Sequence, residues 1–157
     1  DGMAIRALGY AEEGRNVPEC LNGAVIFHCG PIMRQRDAGS WSVVAAGPTT
    51  SARMNKLEPE MIPTYNIRAI IGKGGMSRET AEAMRDYGCV YLAATGGAAV
   101  SLAEGLDRCV GCEWGDLGMA EAMWMFEAKR LGPLIVAIDA NGASLYDRVN
   151  SSLVRDA

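Results

Sequence analysis

Ser42-Val43-Val44-Ala45-Ala46-Gly47-Pro48-Thr49-Thr50-Ser51-Ala52-Arg53-Met54-Asn55 decides how the chain is read. The run from Ser42 to Ala46 is apolar and β-branched enough for a central strand, and Gly47-Pro48 stops it sharply. A strand therefore delivers the hydroxyls of Thr49, Thr50 and Ser51 and the guanidinium of Arg53 to a sheet edge. Backbone N–H groups beside glycine, hydroxyls and the planar donor fork of arginine suit a carboxylate or a phosphate. The alternative for the same residues is a polar loop that caps a helix through Ser51 or Thr50.

A second apolar run makes a similar delivery. Arg68-Ala69-Ile70-Ile71 ends in Gly72-Lys73-Gly74-Gly75-Met76, which places a second cation, Lys73, on a glycine-flanked turn. That turn lacks the upstream glycine spacing and the following hydroxyl of a P-loop, so nucleotide binding is not expected there.

Working outward, residues 2–10 carry Met3, Ile5, Leu8 and Tyr10 and predict a short helix, with Gly9 a poor interior residue. Ala24–His28 reads as a strand ending at Gly30-Pro31. Ile32-Met33 and the strand from Trp41 to Ala46, joined through Asp37-Ala38-Gly39, read as a hairpin. Pro59 and Pro63 keep any helix in Leu57–Tyr65 short. Ser77–Tyr87 predicts a helix capped by Ser77 and ended by Gly88, with Ala81, Met84 and Tyr87 on its apolar face.

Cys89–Ala94 reads as a third buried strand, and Thr95-Gly96-Gly97 leads into a small-residue helix over Ala98–Gly105. Those glycines either form an anion site at the helix start or serve tight helix–strand packing. Cys109–Trp114 predicts a short strand, Leu117–Trp124 one or two helical turns, and Met125–Leu131 either helix or strand. Leu134–Ile138 is a last strand, closed by Asp139-Ala140-Asn141-Gly142. Met119, Met123 and Met125 read as core filler. Apolar strands ending in Gly-rich loops, with helices between some of them, predict an α/β domain whose polar loops gather along one edge.

With 157 residues the chain makes one domain over 1–157. A net charge of −4 and the lack of a basic run argue against nucleic acid as a partner. No stretch has the length of a membrane span and nothing resembles a secretory leader, so the expected compartment is the cytoplasm, or an organelle interior after loss of a transit peptide. The five cysteines are odd in number and sit mostly in apolar context, which favours reduced thiols. Cys109-Val110-Gly111-Cys112 is a single CxxC without a second pair or a neighbouring histidine, and reads as strand rather than metal or redox centre. The single histidine, His28, at the end of a strand, reads as structural.

Five stretches, taken together and in order, resemble the β subunit or C-terminal domain of class I fumarate hydratases and the related L(+)-tartrate dehydratases. They are Phe27-His28-Cys29-Gly30-Pro31-Ile32, Ala45–Met54, Ile71–Met76, Leu117–Ala122 and Gly132–Asp139, and the resemblance spans nearly the whole chain. It implies a swivelling β/β/α domain that closes over an iron–sulfur catalytic domain carried by an α subunit, in an α2β2 assembly. The [4Fe–4S] cluster would be held by the partner's cysteines, with no metal ligand in this chain, and a cluster iron would act as the Lewis acid for the leaving hydroxyl.

Residue by residue, the resemblance makes Thr49 a candidate for moving the C3 proton of a dicarboxylate. It makes Arg53 and Lys73 carboxylate ligands, with Thr50 and Ser51 in the same binding loop. Cations aimed at the aci-carboxylate stabilise the transition state more than the ground state. A threonine hydroxyl is a poor base at neutral pH unless Lys73, Arg53 or a helix dipole lowers its pKa. The implied reaction interconverts fumarate and L-malate, with L(+)-tartrate or another hydroxy-diacid as the near variant.

The family's upstream Arg-Asp-x-x-His pattern is not matched: its aspartate falls at Asp1 and its histidine at Ala4. The start at Asp1 reads as a domain trimmed at its N-terminus or as a divergent branch. That second case keeps a non-catalytic carboxylate-binding or assembly module open as another class of function. A thiol redox or metal module at Cys109 and Cys112 is the third.

Overall fold

The computed structural model describes residues 1–153. Four short strands form the main sheet: β1 (Val25–Phe27), β4 (Ala69–Gly72), β5 (Val90–Ala93) and β8 (Ile135–Ile138), in the order β1-β4-β5-β8. β1, β4 and β5 run parallel, and β8 is antiparallel to β5. Between them lie two antiparallel ribbons, β2 (Ile32–Gln35) with β3 (Trp41–Ala45), and β6 (Leu106–Glu113) with β7 (Met123–Ala128).

Both faces of the sheet are covered at its central strands β4 and β5, which is why these read as continuous apolar runs, while Val25, Ile135 and Val136 on the outer strands are exposed. Ile26, Ile70 and Tyr91 point toward α1 (Gly2–Glu12), α2 (Glu58–Tyr65) and α3 (Arg78–Tyr87), where Leu8, Met61, Ile62, Tyr65 and Met84 complete one core. Their neighbours Phe27, Ile71 and Leu92 face the other way, toward α4 (Ala99–Glu104) and the ribbons. The period-two alternation along each strand thus feeds two cores and fixes the register. The layers are helices, main sheet, then ribbons with α4, a mixed α/β fold.

Local signals hold where capping is explicit. The Ser77 hydroxyl accepts the Thr80 N–H at 3.3 Å, and Gly88 closes α3 at φ 71°. α5 (Leu145–Ser152) is capped in the same way by Ser144, following a turn in which Asp139 accepts from the backbone N–H of Asn141 and Ala143. The predicted hairpin forms, and so does the short α2, with Asn66 at φ 52° as its left-handed stop.

Several expectations are corrected. Ser42–Ala46 is not a central strand: β3 pairs only with β2, and Val44 is exposed. Trp41, Val43 and Ala45 share one face of the ribbon, so the apolar run records one packed face and not two. Leu117–Trp124 forms no α-helix. A single 3-10 turn at Gly115–Leu117 is followed by loop, and Met125–Leu131 resolves as the body of β7 running into loop, because β6 offers it a bulged antiparallel partner. Strand β6 also begins three residues before Cys109, at Leu106. Of the three methionines only Met123 is buried in the core, and Met119 is exposed. Tyr87 and Ile5 lie on the solvent side of α3 and α1, where Ala83 and Ala4 take the buried positions.

Candidate functional site

Because β1, β4 and β5 are parallel, the loops after them share one edge of the sheet. The Gly47–Arg53 loop, arriving from β3, is stitched into that edge between the ends of β1 and β4. Pro48 bridges Cys29, and the Thr49 N–H donates to the His28 carbonyl at 2.8 Å. Thr50 bridges Lys73: the Lys73 N–H donates to Thr49 O at 3.2 Å and the Ser51 N–H to Lys73 O at 3.0 Å. The two predicted loops are therefore one structure, extended β-fashion beyond the sheet. The Gly96 backbone lies beside the Lys73 stem, which brings the third Gly-rich loop to the same place.

The side chains divide. Thr49, Thr50 and Arg53 are exposed and Lys73 is half-buried. Arg53 donates from Nη2 to Asp1 Oδ2 at 2.9 Å, so an incoming carboxylate competes with Asp1 for that guanidinium. Ser51 is 0% exposed and reaches no solvent. Neither Thr50 nor Ser51 caps a helix through its side chain: the segment Ser51–Met54 is a short 3-10 turn with no such bond. The N-terminal residue of α4 is likewise uncapped by Ala98.

Beneath the loop lies a buried polar cluster. His28 Nδ1 is 2.9 Å from Ser51 Oγ, His28 Nε2 is 2.8 Å from Glu58 Oε1, and the Tyr91 hydroxyl donates to Ser51 Oγ at 3.0 Å. Burial pushes the Tyr91 phenol up to about 12, against the opposing pull of the Ser51 hydrogen bond. The cluster closes on Gly72, where an added Cβ would stand 1.9 Å from Ser51 Oγ and 3.2 Å from the Tyr91 oxygen. Sequence reasoning took His28 as structural and did not connect it to Glu58, Tyr91 or Gly72. The one signal available was Gly72 following Ile70-Ile71 within the strand, where close approach of another group is a standard reason for glycine.

Thr49, Arg53, His28 and Glu58 also border a cleft of about 770 Å³ between the free edge of β1 and the β6–β7 ribbon. Its remaining walls are largely apolar, with Phe27, Met123 and Phe126 among them. Thr50 and Lys73 do not line it, so the hydroxyl and cation groups face the loop edge as much as the cleft.

Among the described residues no three of His, Cys, Asp and Glu converge as a metal site, and all five cysteines are free thiols. The residues present do not fit an iron–sulfur cluster. Cys109 and Cys112 lie on β6 around a bulge, each thiol turned to a different carbonyl, Gly111 and Glu113. Burial raises the Cys112 thiol, and more strongly those of Cys29, to about 11, and Cys89, to about 12. Burial raises the Cys20 thiol too, but Cys20 is the exposed one, so a thiol-specific reagent at pH 8 is expected to label it early in the native chain and Cys89 only after denaturation. Rapid labelling of Cys89 ahead of Cys20 would contradict this order. No described helix is long and apolar enough to cross a membrane.

Comparison with known proteins finds relatives over most of the chain. A Methanocaldococcus jannaschii protein provisionally named L(+)-tartrate dehydratase subunit beta is 45% identical over 154 residues, covering 98% of this chain and 78% of the relative. The L(+)-tartrate dehydratase subunit beta of Escherichia coli (strain K12) is 39% identical over 131 residues, 83% of this chain and 65% of the relative. A Geobacillus stearothermophilus protein provisionally named fumarate hydratase class I is 39% identical over 161 residues, 96% of this chain but 31% of the relative. The family model described as Fumarase C-terminus matches residues 4–149, and the chain belongs to that family.

Proposed function

We propose that this chain is the β subunit of a hydro-lyase that interconverts fumarate and L-malate, working with a cluster-bearing α subunit. The observation that carries it is the stitching of the Thr49–Arg53 loop to Lys73 at the strand edge, in a member of this family. The partner would carry the [4Fe–4S] cluster, the assembly would be α2β2, and this domain would swivel to close on it.

The chain's own residues account for substrate handling. Arg53 offers a planar pair of donors to one carboxylate, exchanging Asp1 for it, and Lys73 supplies a point charge on the other side of Thr50. Removing the C3 proton piles charge onto the adjacent carboxylate, so cations fixed before the reaction lower the barrier without reorganising. Thr49 precedes both cations in the chain and is paired to Lys73 through its carbonyl, with its hydroxyl donating to the His28 carbonyl at 3.1 Å. Its Oγ lone pairs are then the part left to meet a substrate proton. Thr50 supports the carboxylate from the exposed side of the loop, while Ser51 acts from beneath it.

L(+)-tartrate is the second reading, favoured by the names of two of the relatives above. The deciding measurement is anaerobic dehydration of L-malate and of L(+)-tartrate by this chain alone, by a cluster-loaded α subunit alone, and by both together. Turnover is expected only in the mixture. A mixture that assembles, binds dicarboxylate and turns over neither acid would instead make the chain a non-catalytic carboxylate-binding module.

A further inference from the structure

His28 grips the Thr49–Ser51 segment at both ends. Its carbonyl accepts the Thr49 N–H at 2.8 Å and the Thr49 hydroxyl at 3.1 Å, while its ring faces Ser51 Oγ at 2.9 Å. The ring cannot turn without losing a partner, since its other nitrogen is held by Glu58. His28, Ser51, Glu58 and Tyr91 are all buried, so every hydrogen in the cluster needs an acceptor inside it.

Counting hydrogens gives the cluster a direction. With Glu58 as a carboxylate, which only accepts, Nε2 carries a proton toward Oε1, while Oε2 is buried without a partner among the described residues. Tyr91 donates to Ser51 Oγ, and the Ser51 hydrogen then has Nδ1 as its acceptor. A doubly protonated ring would leave the Ser51 hydrogen without one. The chain of donors runs Tyr91 to Ser51 to His28 to Glu58.

The geometry points to His28 as the positioning residue of the Thr49 hydroxyl: a neutral imidazole protonated at Nε2, oriented by Glu58 and locked through Ser51, whose carbonyl sets which way the Thr49 oxygen faces. This rests on Thr49 facing substrate, as proposed above. Both ring nitrogens of His28 are engaged by Ser51 and Glu58. His28 acts by fixing the backbone from which Thr49 is hung, so its loss shows in turnover more than in binding.

Because His28 is the one histidine of the chain, ring 15N labelling of the full chain gives a single pair of imidazole signals that needs no assignment. At pH 7 the expected pattern is protonated Nε2 and unprotonated Nδ1, alone and assembled with the α subunit. An imidazolium or an Nδ1–H tautomer would overturn the assignment. In the assembled enzyme, Ser51→Ala is expected to change the Nδ1 signal and lower kcat about tenfold with KM within about threefold.

A purely structural role would lower the melting temperature without that split. An unchanged kcat for Ser51→Ala, in an enzyme that Arg53→Ala disables, overturns the positioning role and leaves the substrate loop standing. If Arg53→Ala is silent too, the substrate loop is misassigned, and the tautomer still judges the cluster. Should Ser51→Ala fail to fold, Tyr91→Phe removes one donor to the same oxygen, and a kcat within the error of wild type would overturn the role.

Discussion

Gly72→Ala is expected to destabilise the domain by about 2–3 kcal/mol, the upper part of the range for overpacking a well-filled core. The backbone at Gly72 is not among the positive-φ glycines, so alanine meets no conformational objection there. The objection is space: the added methyl would lie 1.9 Å from Ser51 Oγ. Gly72 ends β4 paired to Ala93 on β5, and its carbonyl accepts the Ala94 N–H at 2.7 Å, which holds the strand against a shift that would make room.

Ser51 must therefore leave, and with it go the partners of His28 Nδ1 and of the Tyr91 hydroxyl. In a domain of this size each kcal/mol is worth about 2–4 °C, so a fall of roughly 5–10 °C in Tm is the readout. The double variant Gly72→Ala with Ser51→Ala tests the cause. Removing the colliding oxygen leaves contacts of 3.2 Å and 3.3 Å, which small shifts relieve, and part of the loss should return. Strict additivity of the two losses would show that the clash is not with Ser51.

That cluster also marks where sequence stops being readable. Its members are joined across 23, 30 and 40 residues, and none of those separations belongs to a recurring motif. Each residue has an ordinary local explanation: Ser51 in a polar loop, Glu58 in the first turn of a helix, Tyr91 in a buried strand. Only the fold gives them a common address.

The parts that were legible are those whose cause is local or periodic. Ser77 and Gly88 bracket α3 because capping depends on neighbours in sequence. Runs such as Ala69–Ile71 and Val90–Leu92 read as strands because both faces are buried, which removes alternation and leaves an apolar block. The same criterion misplaced Ser42–Ala46, whose apolar character serves a two-stranded ribbon, since an apolar block does not reveal how many neighbours a strand has. The loops of Thr49 and Lys73 were each expected at a sheet edge, but the first arrives from a ribbon and reaches that edge through its own pairing with His28 and Lys73. That Ser51 lies under the loop was not legible, because three hydroxyl residues in a row carry no mark of which one turns inward.

Arg53→Ala and Lys73→Ala are each expected to lower kcat/KM of the assembled enzyme by about 10²–10³-fold, the usual consequence of removing one fixed donor from a developing oxyanion. The loss should fall more on kcat than on KM, because the charge they meet is greater after the C3 proton has left than before. The fold should hold. Arg53 is exposed, and its ion pair with Asp1, the one it makes among the described residues, is of the solvent-exposed kind that contributes little.

Lys73 ties the loops together through its backbone N–H and carbonyl, which alanine retains, so its side chain is separable from its structural task. A Tm within about 2 °C of wild type for both variants is the control, as expected for surface substitutions in a domain of this size. Arg53→Lys divides the guanidinium's contribution into charge and shape: recovery to near wild type would mean that a positive point suffices, whereas an intermediate loss means that the paired donors are used. Unaltered kinetics for both alanine variants, in an assembly that turns over malate or tartrate, would place the carboxylate ligands elsewhere. The loop at Thr49 would then be a structural seam of the sheet edge and not the substrate's seat.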